Sequence, residues 1–106
     1  MFSFNSIVVV NAMFAFKYPM TGDFISVYFD LKHFYFDCRE IINIMDGVVE
    51  KRGRRKIINK MIKLRFLRPH QVVELLHCFL YTKRIQRYIF NVIYPVLMKY
   101  KKSLVL

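Results

Sequence analysis

The sequence predicts an all-α fold, a compact bundle of five or six helices built as a single domain over residues 1–106. Three observations predict it. Helix start and stop signals recur along the chain, a short phrase opening aromatic–X–aromatic is written three times, and a stretch near residue 60 carries apolar and basic residues on opposite helical faces. With 56% hydrophobic and 17% aromatic residues in 106 positions, the chain has enough apolar material for a core and is too apolar to be disordered.

Taken in order, Asn5 or Ser6 caps a first helix running to about Lys17, which Pro19 and the Thr21-Gly22 turn end. The β-branched run Ile7–Val10 argues for a strand in the same place, so the stretch from Ile7 to Phe16 stays open between helix, strand and signal-like segment. Asp23 caps a second helix through Leu31. Asp37 caps a third, with Ile41, Ile42, Ile44, Met45, Val48 and Val49 inward. Gly53 breaks the chain before the basic helix. Pro69 opens the next one, where its missing N–H costs nothing, and Val72, Val73, Leu76 and Phe79 are spaced for burial. Thr82 caps the last long helix, with Ile85, Ile89, Val92, Ile93 and Val96 inward and Pro95 ending or kinking it. A basic tail follows at residues 99–106.

The repeated phrase reads "FSFNSIVVVNAM" from Phe2, "FYFDCREIINIM" from Phe34 and "FLYTKRIQRYIF" from Phe79. Each copy places a capping residue (Asn5, Asp37, Thr82) after the aromatic pair, then an apolar stripe. Read as degenerate helical-hairpin repeats, the aromatics plug the corners between helices and the copies stack to bury a shared face.

These residues resemble a domain family of unknown function, DUF 4476. Its pattern repeats an F-x-F-[DN]-x corner, led in by Q-V-x-x-L-L-x-x-F and closed by Y-P. Gln71-Val72, Leu75-Leu76 and Phe79 stand in that spacing, followed by Arg84-Ile85 and Tyr94-Pro95. The chain departs from the pattern at Thr82, where an acidic cap is expected, and lacks the D-x-x-N-Y phrase after the last Tyr-Pro. The resemblance covers most of the chain outside the basic stretch. It implies an all-helical fold and no activity.

Charge is divided unevenly. The formal net charge is +11, yet residues 1–50 hold three basic and six acidic side chains, and residues 51–106 hold fifteen basic and one acidic, Glu74. The basic segment 51–68 alone holds Lys51, Arg52, Arg54, Arg55, Lys56, Lys60, Lys63, Arg65 and Arg68 and no acid. A solvated face kept soluble by charge mixes signs, so a run this one-sided points to an anionic partner.

Chemistry is harder to find. His70, Glu74 and His77 fall on one helical face and could in principle hold a metal, but the same residues suit the solvent side of that helix, and no metal site is assigned. Cys38 near His33 could form a nucleophile pair, yet a cysteine at a repeat corner is better explained by packing. Glycines 22, 47 and 53 are isolated, so no phosphate-cradling loop exists. The expectation is a non-enzymatic protein with no catalytic residues and no cofactor. Cys38 and Cys78 lack CxxC spacing and read as reduced thiols, which suggests an intracellular, reducing compartment. No window reaches the roughly 18 to 20 apolar residues a membrane span needs, and no Lys or Arg precedes the first apolar run as a secretory leader requires, although secretion stays open.

The function expected is a binding module whose basic segment contacts an RNA or DNA backbone, with Phe66, Tyr81, Tyr88 and Tyr100 interleaved among arginines as candidate stacking rings. The rival is an adaptor or assembly subunit docking an acidic protein, with self-association also open. A third reading is peripheral attachment to anionic membrane, which requires Ile57, Ile58 and Ile62 to be exposed.

Overall fold

The computed structural model describes Ser3–Phe4, Ile7–Val8 and residues 12–104. The architecture is mixed α/β, which overturns the all-α bundle and the helical repeat. Strands β1 (Ser3–Phe4) and β2 (Ile7–Val8) pair with each other. A four-stranded antiparallel sheet follows, in the order β3 (Ala12–Lys17), β4 (Phe24–Phe29), β5 (Phe34–Asp37), β6 (Phe66–Leu67). The helices are α1 (Cys38–Ile44), α2 (Arg55–Leu64), α3 (Pro69–Leu76), α4 (Lys83–Tyr88) and α5 (Tyr94–Ser103), the last two joined through a π turn at Ile89–Ile93. The expected caps Asn5 and Ser6 lie outside the described residues.

The correction has a specific physical cause. An aromatic–X–aromatic phrase has the two-residue period of a strand, in which alternate side chains share a face. Phe34 and Phe36 are both buried on the core side of β5, with half-buried Tyr35 between them. Ala12, Phe14 and Phe16 oppose Phe29, Val27 and Ile25, so β3 and β4 present one continuous apolar face. Asp23 therefore precedes a strand. Gly22, at φ +80°, turns the chain back, and its N–H donates to Tyr18 O at 2.8 Å. At the next turn Leu31 is left-handed (φ 79°), held because Asp30 Oδ1 accepts from the amides of Lys32 and His33 at 3.0 and 2.8 Å.

From Asp37 onward the helices expected on local signals form, whereas the two expected from Asn5 or Ser6 to Lys17 and from Asp23 to Leu31 give way to β3 and β4. Asp37 accepts from Arg39 N and starts α1, although Val49, expected inward, is 55% exposed. Gly53 precedes α2, and Pro69 opens α3, with Gln71 Oε1 accepting from Arg68 N at 2.9 Å. Thr82 occupies the position before α4, but its hydroxyl donates back to Leu76 O at 3.2 Å and accepts from Gln86 Nε2 at 2.8 Å.

Pro95 does not end the last helix, which runs on to Ser103. It cannot donate to Asn91 O, and its ring crowds that carbonyl. The chain answers with a wider turn, in which Tyr94 N–H reaches back five residues to Ile89 O. This also explains an error of phase. A four-residue step overshoots an α-turn by about 40°. Ile85, Ile89, Ile93 and Leu97 would thus drift off one face, but the wide turn takes the drift back and all four are buried. Val92 and Val96, expected inward, are rotated out and stand 45% and 46% exposed.

One core gathers Ile25, Val27, Phe29, Phe36 and Leu67 from the sheet with Ile41, Leu75, Leu76, Ile89 and Ile93 from the helices. The last helix docks on the sheet through rings: Tyr100 meets Phe14 and Phe29 edge-on at 5.0 and 5.9 Å, and Tyr88 meets Tyr18 at 5.3 Å. Among the described residues no helix is long and apolar enough to cross a membrane.

Candidate nucleic-acid interface

Helix α2 is amphipathic because its apolar and basic residues follow the 3.6-residue period. Ile58 and Met61 are buried, Ile57 is half-buried, and Lys56, Lys60 and Lys63 (i, i+4, i+7) form one exposed stripe. With Asn59 and Leu64 these lysines line a shallow groove of about 450 Å³. Arg65, left-handed at φ 63°, stops the helix. No acid stands in its first turn, where Arg55 and Lys56 instead set positive charge against the positive pole of the helix dipole. That arrangement works against folding and favours an incoming anion.

The nine basic residues do not form one surface. Arg55 pairs with Glu50. Arg52 and Arg54 are exposed on the approach to α2. Lys51 and Arg54 turn toward α3 and, with Ile57, Glu74, His77 and Cys78, line a cleft of about 660 Å³. Arg65 lies 3.9 Å from Asp37 Oδ2, and its guanidinium covers the Phe66 ring at 5.0 Å. Arg68 is half-buried before α3, its Nε enclosed without a hydrogen-bond partner among the described residues. The structure thus brings together Lys56, Lys60 and Lys63 and, separately, Lys51 and Arg54. Arg65 and Arg68 line neither the groove nor the cleft.

His77 joins Lys51 and Arg54 in a way the sequence does not disclose. The link is tertiary: Glu50 and Phe79 form an antiparallel bridge, Lys51 N donates to Cys78 O at 2.8 Å, and Leu80 N donates to Val49 O at 2.8 Å. No local pattern marks such a contact. His70, Glu74 and His77 do not assemble a metal site, since no group of three potential ligands is found among the described residues.

Both cysteines are buried and unbridged. Burial, reinforced by the Asp37 carboxylate, pushes the Cys38 thiol up to about 11. Burial also raises Cys78, whose Sγ–H donates to Glu74 O at 3.3 Å. Neutral thiols are poor nucleophiles, so neither cysteine has the environment of an activated one. Of the candidate rings, Tyr100 is half-buried against the core, Tyr88 donates its hydroxyl to Lys17 O at 2.6 Å, Phe66 lies edge-on to Tyr28 at 5.6 Å, and Tyr81 is 87% exposed.

The chain matches no family model, no curated protein and no solved structure.

Proposed function

We propose that this protein is a non-enzymatic nucleic-acid-binding module that contacts the phosphate backbone through the outer face of α2. The observation that carries the reading is the Lys56, Lys60 and Lys63 stripe, exposed, without an ion pair among the described residues and on a helix without acids. Arg52 and Arg54 extend it toward the cleft containing His77. The buried, unbridged thiols suit a reducing compartment.

Backbone binding through about four cations predicts a slope of roughly −3.5 in log K against log salt for duplex DNA. Fluorescence anisotropy of labelled RNA and DNA across a salt series measures it. The variant Lys56→Glu/Lys60→Glu/Lys63→Glu should abolish binding that the wild type retains at moderate salt. Unchanged affinity in that variant would sink the reading.

A second reading, docking of an acidic protein, draws on Ile62 and Leu64, which are 40% and 45% exposed beside the lysines. It predicts a partner whose affinity falls on Leu64→Ser and retains an apolar, salt-insensitive component. Membrane attachment is less well supported, because Ile58 is only 2% exposed and cannot enter a bilayer.

A further inference from the structure

A groove on another part of the molecule has the chemistry of a base-and-phosphate site. Two cavities, of about 360 and 190 Å³, are both lined by Tyr18, Met20 and Arg84. The larger extends to Arg87 and Asn91, and the smaller to Tyr81. No carboxylate lines either one, and neither Arg84 nor Arg87 forms an ion pair among the described residues. Apart from Thr21 and Thr82 in the smaller one, the remaining walls are mainly apolar, with Met20 58% and Val92 45% exposed.

Tyr81 is the informative residue. Its backbone is left-handed at φ 61°, a conformation that costs a side-chain-bearing residue, and the residue is 87% exposed. The chain is fixed on both sides: Leu80 N is tied to Val49 O and the Thr82 hydroxyl to Leu76 O. The clamp holds the ring out at the mouth of the groove, where core packing gains nothing from it. An aromatic face beside unpaired arginines suits a base stacked on the ring with its phosphate on a guanidinium.

We propose that Tyr81, Arg84 and Arg87 bind a nucleotide of a single strand, ribose or deoxyribose, with Tyr81 as the stacking platform. This rests on the nucleic-acid reading above and adds strandedness to it, since bases locked in a duplex present no free face. An acidic peptide would use the arginines but not the ring.

The test is anisotropy of labelled U12, dT12 and a duplex RNA with wild type, Tyr81→Phe, Tyr81→Gly, Arg84→Glu and Lys60→Glu/Lys63→Glu. Expected results are a roughly tenfold loss of single-strand binding in Tyr81→Gly, no loss in Tyr81→Phe, and duplex binding unchanged by both. Glycine relieves the left-handed strain, so Tyr81→Gly should melt no lower than wild type and loss of fold is not at issue. Loss of binding in Lys60→Glu/Lys63→Glu with none in Tyr81→Gly would overturn the groove and leave the α2 reading standing. Wild type failing to bind any of the three probes would overturn both. Displacement of U12 by hexaglutamate as effectively as by unlabelled U12 would assign the groove to acidic peptides and overturn the proposal. A difference between U12 and dT12 would report contact with the sugar hydroxyl or the base methyl, with stacking upheld if both fall in Tyr81→Gly.

Discussion

The Glu40 carboxylate on α1 takes two hydrogen bonds from Ser26, at 2.7 Å from its amide and 3.0 Å from its hydroxyl. Ser26 lies one residue beyond Val27↔Phe36, the last registered β4–β5 pair, so its amide has no strand acceptor there. Glu40→Ala leaves both donors enclosed and should cost about 2 kcal/mol in urea unfolding; a loss below about 0.5 kcal/mol would show that water replaces the carboxylate. Lys56 offers the opposite case. Lys56→Glu puts an acid in the first turn of α2 and should stabilise the protein by about 0.5 kcal/mol while weakening nucleic-acid binding, a split that thermal melting and anisotropy read separately. Asp30 adds a pH dependence. Burial alone would raise its carboxyl, but the amides of His33 and Lys32 outweigh that and hold it below the ordinary 3.8. Its contribution is complete above that ordinary value and is lost as pH falls through the lowered one, so acid melting in Asp30→Asn should be less steep below about pH 4. The raised Cys38 thiol predicts that neither cysteine reacts readily with Ellman's reagent at pH 8 until urea is added.

At the scale of elements, what could be read from the sequence was whatever is decided within one turn of chain. Asp37, Gly53 and Pro69 mark real helix starts because a cap or a breaker acts on its immediate neighbours, Thr82 marks one without capping it, and Asp23, a signal of the same local kind, precedes a strand. The sheet escaped for two reasons. Phe34-x-Phe36 carries the strand period in too few residues to be distinguished from a helix corner, and β6 is two residues long, Phe66–Leu67, recognisable only through its pairing with Phe36 and Asp37. The site divides along the same line. The α2 lysines follow from periodicity, whereas the meeting of Lys51 and Arg54 with His77 needs the Glu50–Phe79 bridge, and the groove at Tyr81 needs the β3–β4 turn brought beside α4.

Over the whole molecule, the uneven division of charge becomes a division of labour. Four of the seven acids are engaged within the molecule: Asp30 in a turn, Asp37 at a helix start, Glu40 against Ser26 and Glu50 with Arg55. None of these four pairs with a lysine of α2 among the described residues, and Lys56, Lys60 and Lys63 repel one another in the free protein. Screening that repulsion should raise the melting temperature between about 0.05 and 0.5 M salt, and a polyanion such as heparin should raise it further at low salt. A melting temperature that falls with salt would mean that the surface cations are already paired.

The wide turn before Pro95 has a consequence in the counting of residues. It lets Ile85, Ile89, Ile93 and Leu97 share a face at steps of four. Remove one residue from it and the same side chains stand at steps of four, three and four, the spacing of an unbroken α-helix stripe. The helix carries one surplus residue, and Pro95 enforces the place where it is stored. Deleting Asn91 alone should destabilise by about 3 kcal/mol, because Pro95 then sits inside a regular helix. Deleting Asn91 together with Pro95→Ala should recover most of that loss, a rescue that a helix without a stored residue could not show.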